Sequence, residues 1–125
     1  MKLYDMRIVT ADVDRLIRFY EQVTGLAITR LDPGEYAELR TSGGVLAISS
    51  QRKLDARSPG AATPAANRSA IVDFRVDDVD RERARIALIV PQLVLEPTDQ
   101  PWGNRAMLFR DPDGNLINFF HPIQR

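Results

Sequence analysis

Asp12-Val13-Asp14-Arg15 returns as Asp78-Val79-Asp80-Arg81, 66 positions later (12 to 78), and its surroundings return with it. Each copy follows a strand-like run and opens a helix-like one, so the chain reads as one supersecondary unit written twice. In each copy the leading Asp suits a helix N-cap. Its carboxylate can accept from backbone N–H groups that the first turn leaves without intrahelical partners.

Working outward from the first copy, Met6-Arg7-Ile8-Val9 reads as a strand. Beyond Asp12, residues Val13, Leu16, Ile17, Tyr20 and Val23 recur at helical spacing, and Gly25 supplies the stop. Extended runs follow at 26–30, 36–40 and 45–49, separated by Asp32-Pro33-Gly34 and Ser42-Gly43-Gly44. Around the second copy, Ile71-Val72-Asp73-Phe74-Arg75-Val76 alternates apolar and charged residues, as a half-buried strand does. A shorter helix fits 79–89 and ends before Pro91. Strands then fit 93–96, 105–109 and 116–120, with Asp111-Pro112-Asp113-Gly114 as the last hairpin turn.

Each half is therefore βαβββ, and neither can bury a sheet face by itself. The expected class is α+β, with two βαβββ modules forming one curved mixed sheet and the helices on its outer face. The expected organisation is a single domain over 1–125, with a first module at 1–53, a linker at 54–69 rich in Ala, Pro, Ser and Gly, and a second module at 70–125.

Bulk properties narrow the functions. The chain of 125 residues fits one domain of ordinary size, and 44% hydrophobic residues suffice for a core. Lys+Arg and Asp+Glu both number 17. Without a field of one sign, neither nucleic acid nor a membrane is expected as a partner. No cysteine is present, which excludes disulfides, thiolate nucleophiles and Cys-based zinc sites and fits a reducing compartment. The opening MKLYDMRIV lacks the apolar run of a signal peptide, and no stretch reaches a membrane span, so a cytoplasmic location is expected. His121 is the one histidine, which excludes a two-His metal site or a His-based triad within one chain. It lacks an identifiable orienting acid for a general base, so a surface or strand-end histidine is expected.

Strand parity divides the side chains between two faces. Met6, Ile8, Leu46, Ile48, Val72, Phe74, Val76, Ile117 and Phe119 are expected under the helices. Asp5, Arg7, Val9, Val45, Ala47, Ser49, Ile71, Asp73, Arg75, Leu116, Asn118 and Phe120 then line the opposite, concave face. Arg7 and Asp73 hold equivalent positions in the two copies, with Asp5 and Arg75 beside them. Two readings stay open: Arg–Asp bridges closing the sheet, or a pocket whose arginines grip an anionic or carbonyl-bearing ligand.

Asp12-Val13-Asp14-Arg15, Phe19-Tyr20 and Gly25-Leu26, with Trp102-Gly103-Asn104-Arg105 and the run Asp111-Pro112-Asp113-Gly114-Asn115-Leu116-Ile117-Asn118-Phe119-Phe120, resemble the vicinal-oxygen-chelate superfamily over nearly the whole chain. This superfamily includes glyoxalases, bleomycin-resistance proteins and extradiol dioxygenases. The resemblance implies the doubled βαβββ fold and, in the enzymes, a divalent metal held by His, Gln or Glu. Carried onto this sequence, the ligand positions are Asp5, Ala47, Ile71 and Asn118. Neither aliphatic residue can coordinate, and one carboxylate with one amide is a poor cage for a transition metal. Asp5, Asp73 and Glu38 remain candidates for a hard cation such as Mg²⁺.

The resemblance is closest in character to the metal-free members, homodimers that sequester planar, polar molecules. The expected function is metal-independent binding of a drug or metabolite in a concave cleft, with no cofactor, no metal ligand and no catalytic residue. The expected site comprises Asp5, Arg7, Tyr36, Asp73, Arg75, Trp102, Asn118 and Phe120, with Trp102 a stacking platform or an edge cover. The alternative is a divalent-metal-dependent lyase, isomerase or dioxygenase. A third reading makes the protein a partner or regulatory module.

Overall fold

The computed structural model describes residues 1–124. Its elements run β1 (Met6–Thr10), α1 (Val13–Thr24), β2 (Thr29–Asp32), β3 (Tyr36–Arg40), β4 (Val45–Ser50) and α2 (Gln51–Asp55). They continue with β5 (Ile71–Arg75), α3 (Val79–Arg85), β6 (Leu95–Asp99), β7 (Asn104–Arg110) and β8 (Leu116–Pro122). The chain divides into two compact units, Met1–Ala66 and from Asn67 onward. Each has the βαβββ order, and the class is α+β.

Strand pairing gives two four-stranded mixed sheets, one per unit. Their orders, β1-β4-β3-β2 and β5-β8-β7-β6, are the same topology repeated. In each, the first strand runs parallel to the last, and the rest is antiparallel. The repeated tetrapeptide performs the same task twice: Asp12 accepts from Arg15 N–H at 3.1 Å, and Asp78 from Arg81 N–H at 3.2 Å. At the far end of α1, Gly25 adopts φ 72°, which closes the helix onto the Glu21 carbonyl.

In the first unit, Leu16, Ile17, Tyr20 and Val23 are fully buried, and α1 meets β3 and β4, where Leu39 and Ile48 are also fully buried. In the second, Val79 and Ile86 are buried along with Met107, Phe109, Ile117 and Phe119. Phe119 lies edge-on to Phe109 (5.0 Å, 85°) and to Phe74 (5.7 Å, 79°), the arrangement that aromatic quadrupoles favour.

The structure corrects several boundaries. Met6 is 54% exposed rather than packed under a helix, because β1 is an edge strand and α1 covers β3 and β4. Strand β2 begins at Thr29, three residues later than the apolar run suggests, since the Ile28 N–H is taken by the Glu21 carboxylate at 3.0 Å. Helix α3 stops at Arg85; tight turns carry the chain to Val90, whose place before Pro91 disfavours helix. Strand β6 lies at Leu95–Asp99 with an irregularity between Leu95 and Thr98. Pro97, which has no N–H to offer, is tolerated there because the strand is at an edge. Helix α2 crosses the expected module–linker boundary, started by Ser50, whose hydroxyl accepts from Lys53 N–H at 2.9 Å.

Candidate ligand-binding site

The face of the first sheet turned away from α1 is built in cross-strand rows. Arg7 stands opposite Ala47, and Ala47 opposite Glu38; Val9, Ser49 and Tyr36 form the next row. Alternation along β3 brings Tyr36, Glu38 and Arg40 to one side, where they bond together. Tyr36 OH donates to Glu38 Oε2 at 2.7 Å, and Arg40 donates to Glu38 Oε1 through Nε at 3.0 Å and Nη2 at 2.7 Å. Glu38 is 6% exposed, so these donors replace the water it has lost.

The electrostatics follow from that geometry. The hydrogen bonds from Tyr36 and Arg40 favour the charged carboxylate and hold Glu38 below the ordinary carboxylate range. The Glu38 bond, aided by burial, pushes the Tyr36 phenol up to about 12. Asp5 adds to that rise and Arg7 opposes it, so three expected site residues, Asp5, Arg7 and Tyr36, share one electrostatic neighbourhood. Arg7 has no carboxylate within ion-pair distance among the described residues. The arginine that Glu38 engages is Arg40.

On the second sheet, Asp73 stands opposite Asn118, and Arg75 opposite Phe120. Asn118 Nδ2 donates to Asp73 Oδ1 at 2.9 Å. A carboxylate only accepts, so this bond fixes which amide atom is the nitrogen. Asn118 Oδ1 is then buried without a hydrogen-bond partner. Arg75 is exposed and outside every ion pair of the described residues. Trp102 is 73% exposed in the turn between β6 and β7. His121, half-buried on β8, accepts the Val79 N–H at its Nδ1 (3.0 Å) and so holds the start of α3, a structural task.

Sequence reasoning did not assign one feature, a groove of about 710 Å³ within the first unit, where α2 and the residues after it meet β1 and β4. Arg7 and Ser49 belong to both the sheet face and this groove. Lys53, on α2, reaches Asp32 at 3.0 Å and lies 5.6 Å from the Tyr36 ring centroid. Arg52 pairs with Glu35, which also accepts from the Ser50 hydroxyl. The signal for α2 was Ser50 immediately after a strand, but five residues are too few for a helical period to show.

The donor set does not fit the metal that the enzymes of this fold use. Of the positions the resemblance implies, Ala47 and Ile71 have no donor atom in their side chains, which leaves the Asp5 carboxylate and the Asn118 carbonyl oxygen, too few for a transition metal. Among the described residues no group of three or more His, Asp or Glu could hold an ion. Nor is any helix of these residues long and apolar enough to cross a membrane.

The doubled topology agrees with comparison to known proteins. Residues 3–119 match the Glyoxalase/Bleomycin resistance protein/Dioxygenase superfamily, and the chain belongs to it. It is 27% identical over 125 residues to the uncharacterized protein YraH of Bacillus subtilis (strain 168), covering 96% of this chain and 98% of that one. A protein of unknown function from Agrobacterium tumefaciens str. C58 shares 26% identity at a TM-score of 0.81, over 98% of this chain and 95% of that one. A glyoxalase/bleomycin resistance protein/dioxygenase family enzyme from Burkholderia phytofirmans PsJN reaches a TM-score of 0.83 at 18% identity, over 98% of this chain and all of that one. At 18% identity the last likeness is one of fold.

Proposed function

We propose that this protein binds a small, partly planar polar molecule on the strand faces turned away from its helices, without a metal, and sequesters it. The observation that carries this reading is Asn118 Oδ1, a buried carbonyl oxygen with no donor. It occupies a position where the resemblance places an acidic metal ligand in the enzymes. Leaving such an acceptor unpaired costs about 1–3 kcal/mol, which a ligand N–H or O–H relieves on binding. Tyr36 and Phe120 offer rings on the same type of face, and Arg7 and Arg75, without ion pairs, can hold polar groups of a ligand. Asp5, Asp73 and Trp102 complete the proposed set.

We further propose that the protein works as a homodimer in the cytoplasm. Supporting the dimer, Met1, Leu3, Tyr4 and Met6 are exposed along and before edge strand β1, and Ile71 opens edge strand β5 half-exposed. Supporting the location, a chain without cysteines needs no oxidising compartment.

The test is a ligand panel of uncharged planar amides, read from the backbone amide signals of residues 116–120 by NMR, with Asn118→Leu as the variant. Leu matches the shape of Asn but has no polar atom to satisfy. Saturable binding by the parent, lost in Asn118→Leu while the fold is retained, supports the proposal. Equal binding by both proteins refutes the role of this carbonyl.

A further inference from the structure

The groove beside α2 bears on the class of ligand. Its lining carries four cations, Arg7, Arg52, Lys53 and Arg57, against two carboxylates, Asp32 and Glu35. Those two carboxylates are committed: Glu35 to Arg52, and Asp32 to Lys53. Arg7 and Arg57 are left without a carboxylate within ion-pair distance among the described residues. A chain of zero formal net charge therefore concentrates uncompensated positive charge in one recess. Ser49 adds a neutral donor. It is 2% exposed and lines the groove, and its hydroxyl makes no hydrogen bond among the described residues.

Two guanidiniums and a hydroxyl around one recess form the donor set that a planar or tetrahedral oxyanion accepts from, because each guanidinium presents N–H groups in a fixed fork. The neighbouring ion pairs stiffen the wall. Lys53 is tied to Asp32 and lies near the Tyr36 ring, and Arg52 is tied to Glu35, which in turn holds Ser50 at the start of α2. We infer that this groove binds the carboxylate or phosphate group of a small molecule between Arg7, Arg57 and the Ser49 hydroxyl. This deepens the reading of the strand face as a ligand surface and rests on it, since Arg7 and Ser49 belong to both.

The experiment titrates the full-length ¹⁵N-labelled protein with inorganic phosphate and, separately, with malonate, at constant ionic strength set by chloride. Arginine Nε–Hε signals and backbone amides are followed. The expected result is saturable shifts confined to Arg7, Ser49 and residues 50–57, at millimolar concentrations of at least one anion. Arg7→Gln and Arg57→Gln should each weaken that affinity by about tenfold, the loss of one charge-assisted pair. Arg18→Gln, on the exposed side of α1, should leave it unchanged. Linear shifts matching those caused by chloride, or an affinity in both groove variants equal to the parent's, overturn the inference. Both variants replace exposed side chains, so their amide spectra report directly whether the fold persists.

An uncharged planar probe, benzamide, in the same spectra separates the two proposals. A benzamide response at Tyr36 or Asn118 without an anion response removes the anion site alone. An anion response with nothing from the panel reaching Tyr36 or Asn118 leaves the groove standing and removes the wider reading.

Discussion

Replacing Glu38 by Gln tests the polar network on the first sheet. Glu38 accepts one hydrogen bond from Tyr36 and two from Arg40 while only 6% exposed. Gln keeps the shape but removes the charge; with its oxygen on Arg40, its amide must donate to the Tyr36 hydroxyl oxygen, a neutral bond in place of a charge-assisted one. Moving from a charge-assisted to a neutral bond costs about 1 kcal/mol for the Tyr36 partner. The Arg40 side chain is 58% exposed, so solvent screens its bonds and they add little. The expected destabilisation at pH 7 is about 1–2 kcal/mol, roughly a 4–8 °C fall in Tm for a chain of this size.

The same substitution has a pH signature. Tyr36 is raised on folding, so its contribution is complete below the ordinary phenol value near 10 and is lost as pH climbs through about 12. Glu38 is lowered on folding, so its contribution is complete above the ordinary carboxylate value and is lost as pH falls through its depressed one. In Glu38→Gln both limbs vanish, so the stability difference between the two proteins should be largest between them and shrink at either end. Urea unfolding across pH gives the stabilities, and absorbance at 295 nm gives the phenol titration, with Tyr36→Phe identifying the relevant tyrosine. Tyr36 should ionise at lower pH in the variant than in the parent, while burial and Asp5 still hold it above the ordinary value. An unchanged tyrosine titration, with stability within about 0.5 kcal/mol of the parent, would refute the argument.

Three further outcomes follow from the geometry. Asp12→Ala and Asp78→Ala should each cost about 1 kcal/mol and add when combined, as measured by chemical unfolding, because each removes a helix cap in a separate unit. His121→Ala leaves the Val79 N–H without its acceptor, and hydrogen exchange at that amide should accelerate about fivefold, matching a lost bond of about 1 kcal/mol. Gly114→Ala should destabilise by about 1 kcal/mol or more in thermal unfolding. Its φ of 85° disfavours a side chain, and the new Cβ would lie 2.7 Å from Arg68 Nη1.

The sequence carried much of this fold because its strongest signals are local. A repeated Asp cap, helical spacing behind Asp12 and alternation along 71–76 each depend on a few neighbouring residues. Leu46, Ile48, Ile117 and Phe119 are buried where alternation placed them, and the Asp111–Asn115 turn closes where its composition indicated. Met6 escaped that logic because edge or centre is a property of strand order, which parity does not encode. Strand β2 escaped it because the Glu21 carboxylate competes, seven residues away, for the first ladder donor.

The candidate site was legible in part for the same reason. Parity identified Tyr36 as facing away from the helix, and the same count along β3 places Glu38 and Arg40 beside it. Their mutual bonding depends on rotamers that a one-dimensional pattern does not show. The groove was less legible still. It joins Arg7 on β1 to Lys53 and Arg57 at and beyond α2, and only the turn of the chain after β4 brings those distant positions together.

The most direct test of the central claim, metal-independent binding, is to repeat the ligand titration on protein stripped and kept in excess chelator, following Tyr36, Asn118 and Phe120 by NMR. The expected result is the same affinity with and without chelator, and no gain when Mg²⁺, Mn²⁺, Fe²⁺, Ni²⁺ or Zn²⁺ is restored. Binding that disappears with chelator, returns with one of these ions and is abolished by Asp5→Ala would contradict it, and would make this chain a metal-dependent member of its superfamily.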